Sequence, residues 1–350
     1  MFQDKIEKSH GSCYIGNDIQ LYQEQVGDIL GNIKKPGESG TLPKIAIISQ
    51  TYFSRNFVSE SLCREISTLV KRINFQDIII RADDMKNLFD EQVIYICEEC
   101  QFLFERHPHG FDILRAFLSA VITNRRQIIT TWNQYSWNYL SGFIHIERWF
   151  PKAVSLPFLE LDDLKSYLLL SSDENLVFCL DRKLNNPIDI VRRKYSLSLD
   201  PLNLTLEIPY ITLQKRYTNM IPFYKKNEVN AEDFIIRAIH QLSLGEPGIS
   251  NELFNKAIHE GQLCVSNIPE PATIPPLSPH EMYILTLILM YEQPTYSYLI
   301  RSVHDDSVLN SALYRLMASG VIYRDEENLA LTPEGFAPAV RYLMQRRMIW

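Results

Sequence analysis

A basic surplus is missing from this chain. Lys and Arg total 35 against 42 Asp and Glu in 350 residues, a formal net charge of −7. The molecule as a whole is therefore not built as a polycation to coat nucleic acid. No apolar run reaches the roughly 20 residues that a membrane-spanning helix needs; the longest near a helix is Met282 to Tyr291. The N-terminal Met-Phe-Gln-Asp-Lys-Ile-Glu-Lys is charged, unlike the apolar core of a signal peptide. The six cysteines, Cys13, Cys63, Cys97, Cys100, Cys179 and Cys264, form no disulfide-like framework, which leads us to expect a reducing, cytoplasmic setting. Internal repeats and low-complexity tracts are absent. What remains is the composition of a folded protein, 46% hydrophobic and 22% charged, long enough for two or three domains.

The pattern divides the chain into five parts. Residues 1–43 read as a helical lead-in and linker, with a stripe of Ile19, Leu21, Tyr22, Val26, Ile29, Leu30 and Ile33. In 44–160, apolar strands expected at 45–49, 77–81, 93–98, 127–131 and 153–156 alternate with amphipathic segments. This is the signature of an α/β fold, a parallel sheet covered by helices on both faces. Residues 161–266 read as a helical lid, 267–277 as a proline-rich linker, and 278–350 as a compact unit of its own.

The strand Ile45 to Ile48 runs into a short loop and then an apolar helix, with Phe57, Val58, Leu62, Ile66, Leu69 and Val70 at roughly helical spacing. That is the layout of a phosphate-binding loop, Gly, four residues, Gly, Lys, Ser or Thr, with its chemistry replaced. Ser49 and Ser54 stand at the glycines, Arg55 at the lysine and Asn56 at the hydroxyl residue. Glycine lets backbone amides turn toward phosphate oxygens, and serine resists those dihedrals. Arg55 keeps the charge in a planar, larger group.

A second apolar strand, Gln92 to Cys97, ends in Glu98 and Glu99, where P-loop NTPases place a metal-reaching acid and a water-polarising base. A third, Arg126 to Trp132, ends in Asn133, the place of a polar side chain facing the γ-phosphate. In this order the segments resemble the AAA+ and STAND branch of P-loop NTPases, over about 44–260. The resemblance implies catalytic roles for Glu98, Glu99 and Asn133 and nucleotide-binding roles for Ser49, Ser54, Arg55 and Asn56. It also implies ATP and Mg²⁺ as the ligand of such a site. The departures at the loop, together with Gly248 where the sensor-2 arginine would stand in Leu244-Gly-Glu-Pro-Gly-Ile-Ser-Asn251, imply a pseudo-ATPase without a working cofactor.

Other features carry two readings. Arg106 or Arg115 stands where an arginine finger toward a neighbouring subunit would be, or is a solvated helix arginine. The aromatics Trp132, Tyr135, Trp137 and Trp149 form either a partner surface or core beneath the sheet. Cys97 and Cys100, with His107 and His109 nearby, have zinc-like spacing. Strand alternation buries Cys97, so we expect apolar thiols and no metal.

In the last part, Ser278-Pro-His-Glu281 forms a capping box. Three helices, a hairpin around Asp325–Asn328 and a final helix follow. This resembles a winged-helix domain of α+β class, and the whole order resembles that of origin-recognition-type AAA+ proteins. The expected recognition helix starts with Asp305 and Asp306, the wing tip carries Asp325, Glu326 and Glu327, and no lysine occurs from 257 to 350. Such a surface repels a phosphate backbone. We therefore expect a scaffold or regulatory subunit with protein partners, an active ATPase or further copies of the chain, in preference to DNA. The alternatives are a weakly active ATP switch and a DNA-binding regulator.

Overall fold

Five parallel strands form the sheet on which the rest is built: β1 (Ile45–Ser49), β2 (Val70–Asn74), β3 (Ile94–Glu98), β4 (Ile128–Asn133) and β5 (Lys152–Ser155). Their order is β2-β3-β4-β1-β5, every neighbour parallel. The computed structural model describes residues 21–33, 42–66, 69–76, 81–89, 93–107, 109–172, 176–179, 189–199, 204–214 and 230–350. β1 and β4 are buried along their whole length, as unbroken apolar runs covered on both faces should be. The parallel α/β layout expected from the alternating pattern is the one found.

Alternation along each strand divides the interior in two. Ile45 and Ile47 of β1, Ile96 of β3 and Ile129 of β4 face a core closed by α1 (Gln23–Ile33), α2 (Tyr52–Glu65), α5 (Leu161–Leu170), α6 (Ala231–Ser243) and α7 (Pro247–Ala257). Ala46, Ile48, Tyr95, Cys97, Ile128 and Trp132 face the other core. There α3 (Asp112–Thr123) and α4 (Gln134–Ile144) pack with α8 (Pro279–Tyr291).

Three boundaries differ from expectation. α2 stops at Glu65, Ile66 turns extended, and Leu69 is exposed. Val70 belongs to the next strand. The sheet's edge strand is Val70–Asn74; of the expected strand 77–81, residues 77–80 lie outside the described residues. An edge strand with one buried position, Ile73, tolerates Lys71 and Arg72, so apolarity alone did not mark it. Third, 161–266 is not purely helical. It contains β7 (Asp189–Leu199) and β8 (Leu204–Gln214), antiparallel over their whole length. A small sheet joins β6 (Val177–Cys179), β10 (Gln262–Cys264) and β9 (Ile258–His259). Cys179 and Cys264 pair across it in a disulfide, Cα atoms 4.7 Å apart, which corrects the expectation of unpaired cysteines. Cys13 and Ile19 lie outside the described residues.

The C-terminal unit runs α8, α9 (Tyr296–Val303), α10 (Asp306–Ala318), β11 (Ile322–Asp325), β12 (Asn328–Leu331) and α11 (Pro333–Gln345). The capping box at α8 forms: Glu281 N–H donates to Ser278 Oγ, and Ser278 N–H to Glu281 Oε2. The unit does not have a core to itself. α8 is buried at every position from Ile284 to Tyr291, within the same cluster as Trp132 and Phe117 of the sheet unit. Tyr291 and Tyr298 hydroxyls both donate to the Phe104 carbonyl. Among the described residues no helix is long and apolar enough to cross a membrane.

Candidate functional site

Parallel sheets place side chains for ligands at the carboxyl ends of their strands. Here β1, β4 and β3 end side by side in Ser49, Asn133 and Glu98, with Ser49 in register with Asn133. The loop after β1 feeds α2, which brings Ser54, Arg55 and Asn56 over those ends. The tertiary structure thus brings together every loop and strand-end residue that the sequence suggested. All are buried: Ser49, Ser54, Arg55, Asn56, Glu98, Glu99 and Asn133.

Each of them, however, is satisfied from within the chain. Arg55 is 1% exposed. Its Nε and Nη2 donate to Glu99 Oε1 at 3.0 and 2.9 Å, and Nη2 also to Oε2 at 3.0 Å. Nη1 donates to the Ser49 carbonyl at 3.1 Å, and Nη2 to Glu292 Oε1 at 2.9 Å. Burial opposes the Arg55 charge, but Glu292 and Glu99 outweigh it and hold the guanidinium charged. Burial pushes Glu99 the other way, up to about 7, against Arg55 and the Gln101 amide. The two partners pull in opposite senses. The forked geometry is that of an ionised pair, so we take Glu99 as charged at neutral pH. The Glu99 backbone is left-handed, φ 56°, an uncommon conformation for a non-glycine residue.

Glu98, the expected metal-reaching acid, is held by Arg72 of β2: Nη2 donates to Oε1 at 2.7 Å and Nε to Oε2 at 3.2 Å. Arg72 also donates to Asn56 Oδ1 at 2.9 Å. Asn133 works as a helix cap and a strut. Its Oδ1 accepts from the Tyr135 and Ser136 amides at the start of α4. Its Nδ2 donates to the Gln50 and Leu289 carbonyls and to Glu292 Oε1. Ser54 Oγ donates to Glu246 Oε1 at 3.0 Å, and Thr51 hydroxyl bonds the same oxygen. Glu246 Oε2 caps α7 by accepting from Ile249 N–H. Burial lifts the Glu246 carboxyl to about 7.

The expected sensor-2 position, Gly248, leaves no room for a side chain. A Cβ there would lie 2.7 Å from Phe53 Cβ. A cleft of about 520 Å³ opens beside the loop between α2, α7 and the C-terminal unit, with Tyr52, Glu246, Glu252 and Glu292 among its walls.

The other expectations fall out as follows. Trp132, Tyr135 and Trp137 are interior. Trp132 stacks edge-on with Trp137 and Phe150 and donates its indole N–H to Thr130 Oγ1. They are core, not a partner surface; Trp149 is half-buried. Arg106 does not reach outward: its guanidinium lies 4.7 Å from the Tyr139 ring centroid and 5.6 Å from that of Tyr283. Arg115 is exposed beside Asp112. Cys97 and Cys100 are free and buried, Cys100 Sγ donating to the Cys97 carbonyl.

Three participants were missed from sequence: Arg72, Glu246 and Glu292. Arg72 sits on β2, which apolarity alone does not mark, and Glu246 gives no signal of its own within Leu244–Asn251. Glu292 had no local signal.

Neither a family model nor a curated protein matches the sequence. Among solved structures, the chain aligns with the RuvB Holliday junction branch migration motor of Thermotoga maritima at 13% identity, over 93% of this chain and 95% of that one, with a TM-score of 0.40. It aligns with the ORC2 protein of Aeropyrum pernix at 14% identity, over 96% and 97%, TM-score 0.38. A Walker-type ATPase of Pyrococcus abyssi aligns at 12% identity, over 93% and 96%, TM-score 0.43.

Proposed function

We propose that this chain is a pseudo-ATPase of the AAA+/STAND kind: a scaffold or regulatory subunit that keeps the P-loop fold and has given up the nucleotide reaction. The observation that carries the reading is the fate of Arg55. At the position of the phosphate-binding lysine, its donors are consumed by a forked pair with Glu99 and a further bond to Glu292. In the same site Glu99, the expected water-polarising base, accepts from Arg55 and Gln101. Glu98 is paired with Arg72, so a divalent cation would have to compete with that guanidinium for it. Glu246 and Glu292 add two more acids to a place where a triphosphate would need positive charge.

The C-terminal unit then serves as a winged helix that meets protein. Its hairpin tip carries Asp325, Glu326 and Glu327, all exposed. Arg315 of α10 is engaged with Glu281 at 2.7 Å, while Tyr314 and Met317 of the same helix stand exposed. An apolar, acidic-flanked face suits a protein subunit better than a duplex. Purified protein should show no Mg-ATP turnover above background in a phosphate-release assay. Robust hydrolysis abolished by Glu99→Gln would replace this reading with that of an ATP-driven switch.

A further inference from the structure

Glu292 closes α8 with φ 52° and ψ 173°, a region that side-chain-bearing residues hold only where their surroundings impose it. That backbone aims its carboxylate at the loop of the other unit. Glu292 Oε2 accepts from the Tyr52 backbone N–H at 2.5 Å. Oε1 accepts from Arg55 Nη2 at 2.9 Å and from Asn133 Nδ2 at 2.8 Å. Tyr52 is the first residue of α2, and its N-cap, Thr51, offers no side-chain cap. The donors are thus a free helix-start amide, a guanidinium at the P-loop lysine position and an amide at a neighbouring strand end. Together they are what a bound phosphate would require. The carboxylate has the same sign of charge and the same kind of acceptor oxygens.

We propose that Glu292 is a built-in occupant of the phosphate position, a latch by which the C-terminal unit fills the loop and shuts it to phosphate-bearing ligands. This deepens the non-hydrolysing reading and takes from it the identity of the loop. Docking and latching are one contact. Beside Glu292, the last turn of α8 gives the Leu289 carbonyl to Asn133 and the Met290 carbonyl to Ser136 Oγ. The cleft that leads to the loop has Glu246, Glu252 and Glu292 in its wall and, among the described residues, no Lys or Arg, so an entering phosphate ester meets negative charge there and no cation.

The test uses the full chain as wild type, Glu292→Ala, Glu292→Gln and, as a neighbour control, Gln293→Ala. Amide hydrogen exchange is followed over the start of α2, and inorganic pyrophosphate is titrated into the same samples by calorimetry. The latch predicts exchange at Tyr52 about tenfold or more faster in Glu292→Ala, with Glu292→Gln between it and wild type and Gln293→Ala unchanged. It also predicts pyrophosphate binding in Glu292→Ala about tenfold or more tighter than in wild type. Unchanged exchange at Tyr52 in both Glu292 variants overturns the latch, as does wild-type pyrophosphate affinity equal to that of Glu292→Ala. If Glu292→Ala does not fold, Glu292→Gln decides the matter by the same exchange measurement. Turnover of ATP is a separate assay: its detection removes the pseudo-ATPase reading, whereas unchanged exchange removes the latch alone.

Discussion

Arginine at 55 shows how the choice of one cation organises a site. A lysine ammonium is a point charge that a phosphate can claim. A guanidinium is a planar fork that a carboxylate fits from the side, and Glu99 fits it with both oxygens. Once that pair is buried, either partner alone is costly, since stranding one buried charge typically costs about 3–5 kcal/mol. Glu246 carries a pH signature. Its carboxyl is lifted from an ordinary 4.5 to about 7 by burial. The folded state therefore binds this proton more readily than the unfolded chain. The resulting stabilisation is fully present below the unfolded value and is lost as pH rises through the folded one. Unfolding free energy from urea melts should thus fall between pH about 5 and about 8 by something on the order of 3 kcal/mol from this group. Glu246→Gln, which keeps an oxygen for Thr51 and Ser54, should flatten that slope; an unchanged slope would assign the titration elsewhere.

At the scale of elements, the strands with two buried faces were legible and the rest less so. β1, β3 and β4 are apolar runs bounded by polar ends, and expectation met observation within two residues. β2 escaped because an edge strand needs one apolar face. The hairpin β7–β8 lies in a segment that reads as helical as a whole. The crossing of α2 and α7 makes a prediction of its own. Gly248 brings the start of α7 against Phe53, and a Cβ would meet Phe53 Cβ and Cγ at 2.7 and 2.8 Å. The near end of an aromatic side chain moves only with its helix. Gly248→Ala should therefore destabilise by about 1–3 kcal/mol, seen as a lower urea midpoint with unchanged slope. Gly248→Arg should be worse still. A neutral Gly248→Ala would mean that α7 slides freely along α2.

For the whole molecule, the chain order suggested a detachable last unit, and the packing rejects it. Ile284 to Tyr291 of α8 lie in one apolar cluster with Trp132, Phe117 and Leu140. Truncation near Pro276 would bare the sheet-side face of that cluster. A truncated chain ending there should bind a hydrophobic dye and lose its cooperative melt; a sharp thermal transition in that fragment would contradict the shared core. The amino-acid sequence by itself determined the parallel α/β class, the strand ends that meet at the loop, a loop without glycine or lysine, and the acidic C-terminal tip. These follow from local periodicity and residue chemistry, which need only neighbours along the chain. Only the tertiary structure decided that Arg72 takes Glu98, that Trp132 and Trp137 are core, and that Glu292 and Glu246 occupy the loop. Glu292 stands 237 positions from Arg55. A single carboxylate at that separation leaves no period to read, and its role exists only once α8 is buried against the sheet.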